Sequence, residues 1–171
     1  MALHIHVMWE GPLSLKSAYE LKNAAKDYGV YQVYGRHPVA GVTSLLYIGK
    51  ADKQTFGVRL KQERWELWEA GEGPVEIRIG RLSGAETPSD DEWSRQIHLT
   101  ESLLIAANKP PRNQHGVAWL STDADASAGD LHVLNWSAYG AILPEVSGAR
   151  WSSKFDDIEG FAHYEWKKAP A

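Results

Sequence analysis

Hydrophobic and polar positions alternate from the start of the chain. Leu3, Ile5, Val7 and Trp9 interleave with His4, His6 and Met8, which predicts a strand that Gly11-Pro12 should break. Ser14 then offers a helix cap, with Leu15, Ala18, Tyr19 and Leu21 on the apolar side of a helix expected to reach about Asp27. Two β-rich runs follow, Tyr28 to Tyr34 and Thr43 to Ile48, and should pair as a hairpin around a loop marked by Gly35, Pro38 and Gly41. The pattern changes to helical spacing over Asp52 to Ala70, with Phe56, Leu60 and Leu67 on one face, Trp65 and Trp68 widening it, and Gly57 a point of weakness. Val75 to Leu82 alternates again as a strand. A second long helix should open at Ser89, where Asp90, Asp91 and Glu92 suit its first turn, and stop near Asn108 before Pro110-Pro111. Beyond it, the small, polar and acidic stretch Ser121 to Asp130 predicts a linker. Leu131 to Trp136 should be a strand and Ser153 to Tyr164 a short helix.

One residue is out of place in this pattern. Glu101 falls in the apolar stripe of the second helix, between Ile97 and Ile105 and beside Leu104. A carboxylate there needs a cation, a metal or hydrogen-bond donors if it is buried. The plain alternative is a stripe-edge glutamate that reaches solvent or pairs with Arg59 or His98.

Composition narrows the chemistry. The 171 residues contain no cysteine, which removes disulfides, thiol nucleophiles and cysteine metal ligands, and fits a reducing, cytoplasmic location. No run approaches the roughly 18 apolar residues of a membrane span, and the first dozen residues lack the apolar core of a signal peptide. The net charge of −4 is unevenly placed: residues 1–119 carry 14 basic and 14 acidic side chains, and residues 120–171 carry 4 and 8. The densest positive stretch runs from Lys50 to Arg64, so any nucleic-acid contact should be local rather than global. Eight tryptophans are either core or base-stacking platforms. His4 and His6 share a strand face, but no third metal ligand accompanies them, and Asp123, Asp125 and Asp130 lack the glycine and closing glutamate of a calcium loop.

Two short motifs carry a resemblance. Gly29-Val30-Tyr31 on one predicted strand and Tyr47-Ile48-Gly49-Lys50 on the next are followed by Arg59, then by Glu101, then by Lys109-Pro110-Pro111-Arg112-Asn113. In this order the set resembles the GIY-YIG nucleases, over about Gly29 to Asn113. Fifteen residues separate Tyr31 from Tyr47, a longer connection than compact members use, so the 35–43 loop is a candidate contact to substrate or a partner. The resemblance implies an α+β fold, a small three-stranded mixed or antiparallel sheet flanked by helices in the order β-β-α-β-α. Residues 1–28 would be an N-terminal addition, 29–119 the nuclease core, and 120–171 an acidic linker and extension packed on the core or contacting substrate.

The implied activity is metal-dependent endonucleolytic hydrolysis of DNA. Glu101 would hold a single Mg²⁺ or Mn²⁺, a hard ion that keeps several waters and can manage with one protein carboxylate. Arg59 would clamp the phosphate, Tyr31 would activate or position water, Tyr47 and Lys50 would orient this network, and Asn113 would hold it by hydrogen bonds. No membrane association is implied; a protein partner or homodimer stays open. Each residue also has an ordinary reading: Tyr31 and Tyr47 as strand aromatics, Arg59 with Glu63 as a helical ion pair, Lys50 as a strand end and Asn113 as a turn residue. His98, one turn from Glu101, is a candidate helper, and Arg112 a phosphate or solvent contact. The alternative function is a nucleic-acid or protein binding module with little or no cleavage.

Overall fold

The computed structural model describes residues 3–115 and 131–148. The expected linker over Ser121 to Asp130 and the helix over Ser153 to Tyr164 lie outside them. One six-stranded mixed sheet, curled into a half-barrel, organises the described residues. Its strands are β1 (Leu3–Ser14), β2 (Gly29–His37), β3 (Gly41–Ala51), β4 (Glu76–Ser83), β5 (Leu131–Ser137) and β6 (Glu145–Ser147), ordered β3-β2-β4-β1-β5-β6. Four helices accompany it among the described residues: α1 (Leu15–Tyr19), α2 (Phe56–Gln62), α3 (Trp65–Glu72) and α4 (Asp90–Asn108).

This corrects the expectation of a small three-stranded sheet. The strand expected as an N-terminal addition lies inside the sheet, antiparallel to β4 and parallel to β5, and β5 carries β6 on its outer side. The reason is long-range burial. Ile5, Val7 and Trp9 are almost fully buried with Val133 and Leu131 of β5 and with Ile97 and Leu104 of α4. The pairing is also pinned by polar contacts. Asn135 of β5 accepts a 2.8 Å hydrogen bond from the Trp9 indole and donates one of 2.8 Å to the Leu143 carbonyl.

Local boundaries moved for similar reasons. The first strand does not stop at Gly11-Pro12. It bulges between Glu10 and Leu13 and re-pairs, Leu13 with Ile77. α1 starts as expected, with the Ser14 hydroxyl accepting from the Ser17 amide, but ends at Tyr19, and the Leu21 carbonyl beyond it accepts from the Gly57 amide. Most of the 35–43 loop is ladder: β2 and β3 continue to His37 and Gly41, leaving a tight turn at residues 38–40. The expected 52–70 helix is two helices. The break is at Arg64, in the left-handed region, and not at Gly57, where a Cβ would instead collide with the backbone of Tyr19.

Two cores result, one on each face of the sheet. α4 covers Val30, Ile48 and the β1–β5 strands, while α1, α2 and α3 cover Tyr31, Val33, Ile77 and Ile79. β3 is the outer strand beside β2, and both motif strands therefore sit at one border of the sheet, where the two helical layers meet.

Candidate functional site

The hairpin register sets the geometry. Tyr31 on β2 stands opposite Gly49 on β3, and Tyr47 lies two positions further along the same face. A Cβ at Gly49 would come within 2.6 Å of the Tyr31 ring and 2.7 Å of Tyr47, so only glycine lets both rings sit over this strand. The two ring centroids are 6.1 Å apart, and Tyr47 continues to Trp65 at 5.6 Å. Tyr31 is fully buried; Tyr47 is half-buried and lines the surface.

Arg59 reaches this pair from α2. Its Nη2 pairs with Glu63 one helical turn on, while its Nε is buried without a hydrogen-bond partner. The Tyr31 hydroxyl is likewise buried and unpartnered. Neither group makes a hydrogen bond of good geometry, but the Tyr31 hydroxyl faces the Arg59 guanidinium closely enough for each to act on the other, so the corner is loosely satisfied where most buried polar groups are fully paired. Burial raises the Tyr31 hydroxyl well above the usual phenol range; Tyr47 and Glu63 add to the rise and Arg59 opposes it. Tyr47 is raised by burial, then by Glu63 and Glu101, again against Arg59. Burial works against the Arg59 charge, but Tyr31, Glu63 and Tyr47 outweigh it and hold the guanidinium protonated.

Glu101 approaches from α4. Its side chain is 16% exposed, with the His98 Nδ1 at 4.0 Å. Burial raises its carboxyl to about 7; Lys50 and Arg59 pull it down, while Asp52 and Glu63 push it up. Glu101 thus sits in the apolar stripe as the pattern indicated, yet its carboxylate lines an open hollow of about 430 Å³ with Tyr47, His98, Ser102, Arg112 and Asn113. Lys50 is drawn aside from it. Its Nζ is 2.9 Å from Asp52 and 3.4 Å from His98 Nδ1. Burial opposes the Asp52 charge, but Lys50, together with the Ser94 hydroxyl at 3.2 Å, keeps that carboxyl below its usual range.

The Lys109-Pro110-Pro111-Arg112-Asn113 segment locks the two layers together. Lys109 adopts the left-handed conformation that ends α4, and the prolines cannot continue a helix. The chain turns back onto β3: the Arg112 amide donates to the Leu46 carbonyl at 3.0 Å. The Asn113 side chain then accepts from the Ile48 amide at 3.0 Å and donates to the Ile48 carbonyl at 2.8 Å. Asn113 therefore fixes the strand that carries Tyr47 and Gly49, relative to the end of the helix that carries Glu101.

The structure brings together Tyr31, Tyr47, Arg59, Glu101 and Asn113, and holds Lys50 at the margin, bonded to Asp52. Sequence reasoning did not single out Asp52 as the partner of Lys50, nor Trp65 and Trp68 as a wall beside Tyr47. The latter could have been found from their i,i+3 spacing and from the arginine in the proline-rich motif. His4 and His6 lie apart from the site; each stacks on a ring of β5, His4 on His132 and His6 on Trp136. Among the described residues, no group of three or more His, Asp or Glu side chains is arranged to hold a metal ion, and no helix is long and apolar enough to cross a membrane. No protein-family model matches the chain, and neither a curated protein nor a solved structure matches it.

Proposed function

We propose that this protein is a divalent-metal-dependent endonuclease that hydrolyses phosphodiester bonds in DNA, in the manner of the GIY-YIG nucleases its motifs resemble. The observation that carries the reading is the convergence of Tyr31, Tyr47, Arg59 and Glu101 from both helical layers at one border of the sheet. The Tyr31 hydroxyl and the Arg59 guanidinium, which face each other without a hydrogen bond of good geometry, lie within that convergence.

The donor set fits a hard cation. Among the described residues Glu101 is the single carboxylate lining its hollow, and a hollow open to water leaves the remaining positions of Mg²⁺ or Mn²⁺ to water and phosphate oxygens. Such an ion would supply charge neutralisation at the phosphate and the leaving oxygen. Arg59, whose side chain is only partly buried, would turn the exposed part of its guanidinium to a phosphate oxygen, its orientation fixed by Glu63. Tyr31, whose proton burial holds tightly, orients a water molecule rather than carrying its proton away. Tyr47 presents its ring at the open surface, and Asn113 keeps Tyr47 in register. Lys50 adds positive charge at the rim.

A second reading is a binding module without cleavage. The pairing of Arg59 with Glu63 and of Lys50 with Asp52 favours it, since both cations are already neutralised. Incubation of the protein with single-stranded, duplex and branched DNA, and with RNA, in Mg²⁺ or Mn²⁺ against EDTA separates the two. Metal-dependent cleavage of DNA that Glu101→Gln abolishes supports the nuclease. Binding without cleavage of any substrate in either metal refutes it.

A further inference from the structure

The hollow containing Glu101 does not end at Tyr47. A second hollow of about 480 Å³ begins there, walled by Trp65, Leu67, Trp68 and Glu63, and the two share two residues, Tyr47 and Arg112. Arg112 is exposed, and its guanidinium lies 4.1 Å from the centre of the Trp68 ring and 5.9 Å from that of Trp65. Its backbone is anchored to β3 through the Leu46 carbonyl. Unlike Arg59 and Lys50, Arg112 has no carboxylate partner among the described residues. An arginine stacked on an indole loses little further freedom when its donor fork meets an anion, and the stack leaves that fork unused.

The second hollow has the character of a base site. Leu67 is 65% exposed and Trp68 is half-buried, so apolar and aromatic surface lies open beside Arg112, with Arg64 and the carboxylates of Glu63 and Glu72 on the same walls. A planar, uncharged ring next to a phosphate is the chemistry this combination suits. A paired base inside a duplex cannot enter such a hollow without leaving its stack.

We propose that Arg112, held by Trp68, binds the phosphate next to the scissile one. The Trp65–Trp68 hollow then receives the unpaired nucleotide attached to that phosphate. The preferred substrate is accordingly a strand that is unpaired on one side of the cut. The place of this site beside a scissile bond rests on the nuclease reading; the binding of an unpaired nucleotide does not.

The test measures binding of the full chain to a labelled single-stranded oligonucleotide and to the matching duplex, by fluorescence anisotropy in EDTA over a salt series. The wild type should prefer the single strand. Arg112→Ala should weaken single-strand binding about tenfold and reduce the dependence of log affinity on log salt by about 0.7, the value of one phosphate contact on a single strand. Arg112→Lys should restore the salt dependence but not the affinity, because it returns the charge without the planar fork. Trp68→Phe should also weaken single-strand binding, with an unchanged melting temperature showing that the core is intact. Equal affinities for single strand and duplex, or an Arg112→Ala variant indistinguishable from the wild type, would overturn the inference even if the protein cuts DNA. An Arg112-dependent single-strand preference in a protein that cuts nothing would support the base site and sink the nuclease reading instead.

Discussion

Replacement of Glu101 by glutamine tests the electrostatics of the site without any assumption about cleavage. Burial lifts the Glu101 carboxyl from an ordinary 4.5 to about 7 in the metal-free protein. Below pH 4.5 the group is protonated in both folded and unfolded chains and contributes no difference. Between pH 4.5 and 7 the folded state holds the proton more tightly, so stability falls as pH rises through this window. Above pH 7 the carboxylate is charged in both states, and the full penalty of burying it stands. At 1.36 kcal/mol per pKa unit, that penalty is about 3 kcal/mol. For a chain of this size, 1 kcal/mol corresponds to roughly 2–4 °C, so the shift is on the order of 6–12 °C. Glutamine has the size of the protonated acid and does not titrate. In EDTA, Glu101→Gln should therefore melt close to the wild type at pH 4.5 and several degrees higher at pH 8. Millimolar Mg²⁺ at pH 8 should close the gap by stabilising the wild type alone. Thermal melts of both proteins across this pH range decide it. Parallel melting curves, with no gain for glutamine at pH 8, would show that Glu101 is not a strained carboxylate and remove the physical ground for a cation there.

Other expected outcomes concern the neighbours of Glu101. Tyr31→Phe removes a buried hydroxyl that makes no hydrogen bond of good geometry and only a loose contact with Arg59, so stability should change little while single-turnover cleavage drops sharply; retained cleavage would exclude Tyr31 from positioning water. Asn113→Ala deprives Ile48 of both side-chain hydrogen bonds and should cost about 2–4 kcal/mol in urea unfolding, an effect that a mere turn residue would not produce. Gly49→Ala drives a methyl group into both motif tyrosines and should cost about 1–3 kcal/mol; a variant with wild-type melting and cleavage would mean the rings are not fixed by this strand.

Legibility from sequence followed the range of the interactions involved. The alternation of Val75 to Leu82, the Ser89 cap of α4 and the stop at Lys109-Pro110 are written in neighbouring residues, and the structure has them within a residue or two. Glu101 could be picked out because a helical stripe is itself a local pattern. The sheet could not be read this way. Nothing in Leu3 to Trp9 specifies Leu131 to Ser137 as its parallel neighbour, and the contact that secures it, Trp9 to Asn135, joins residues 126 apart. The same limit hid the division between α2 and α3. Phe56 and Trp65 both serve the core facing Tyr31, and the left-handed residue at Arg64 that lets them do so carries no glycine to announce it. Asp52 escaped notice because its claim on Lys50 depends on where β3 ends, and not on any periodicity.

The central place of β1 also sets a timetable for folding. β1 precedes both of its neighbours along the chain: β4 is complete only at Ser83, and Leu3 waits for Leu131. At about 5–20 residues per second of synthesis, the separation of 128 residues from Leu3 to Leu131 takes roughly 6–26 seconds. Until β4 is made Ile5, Val7 and Trp9 have no sheet partner, and until β5 follows their burial is incomplete. The β2–β3 hairpin, whose partners are close in sequence, can form early and without β1. Folding of this sheet is therefore expected to start at the local β2–β3 hairpin and to close with β1 between β4 and β5, the pairing of greatest sequence separation.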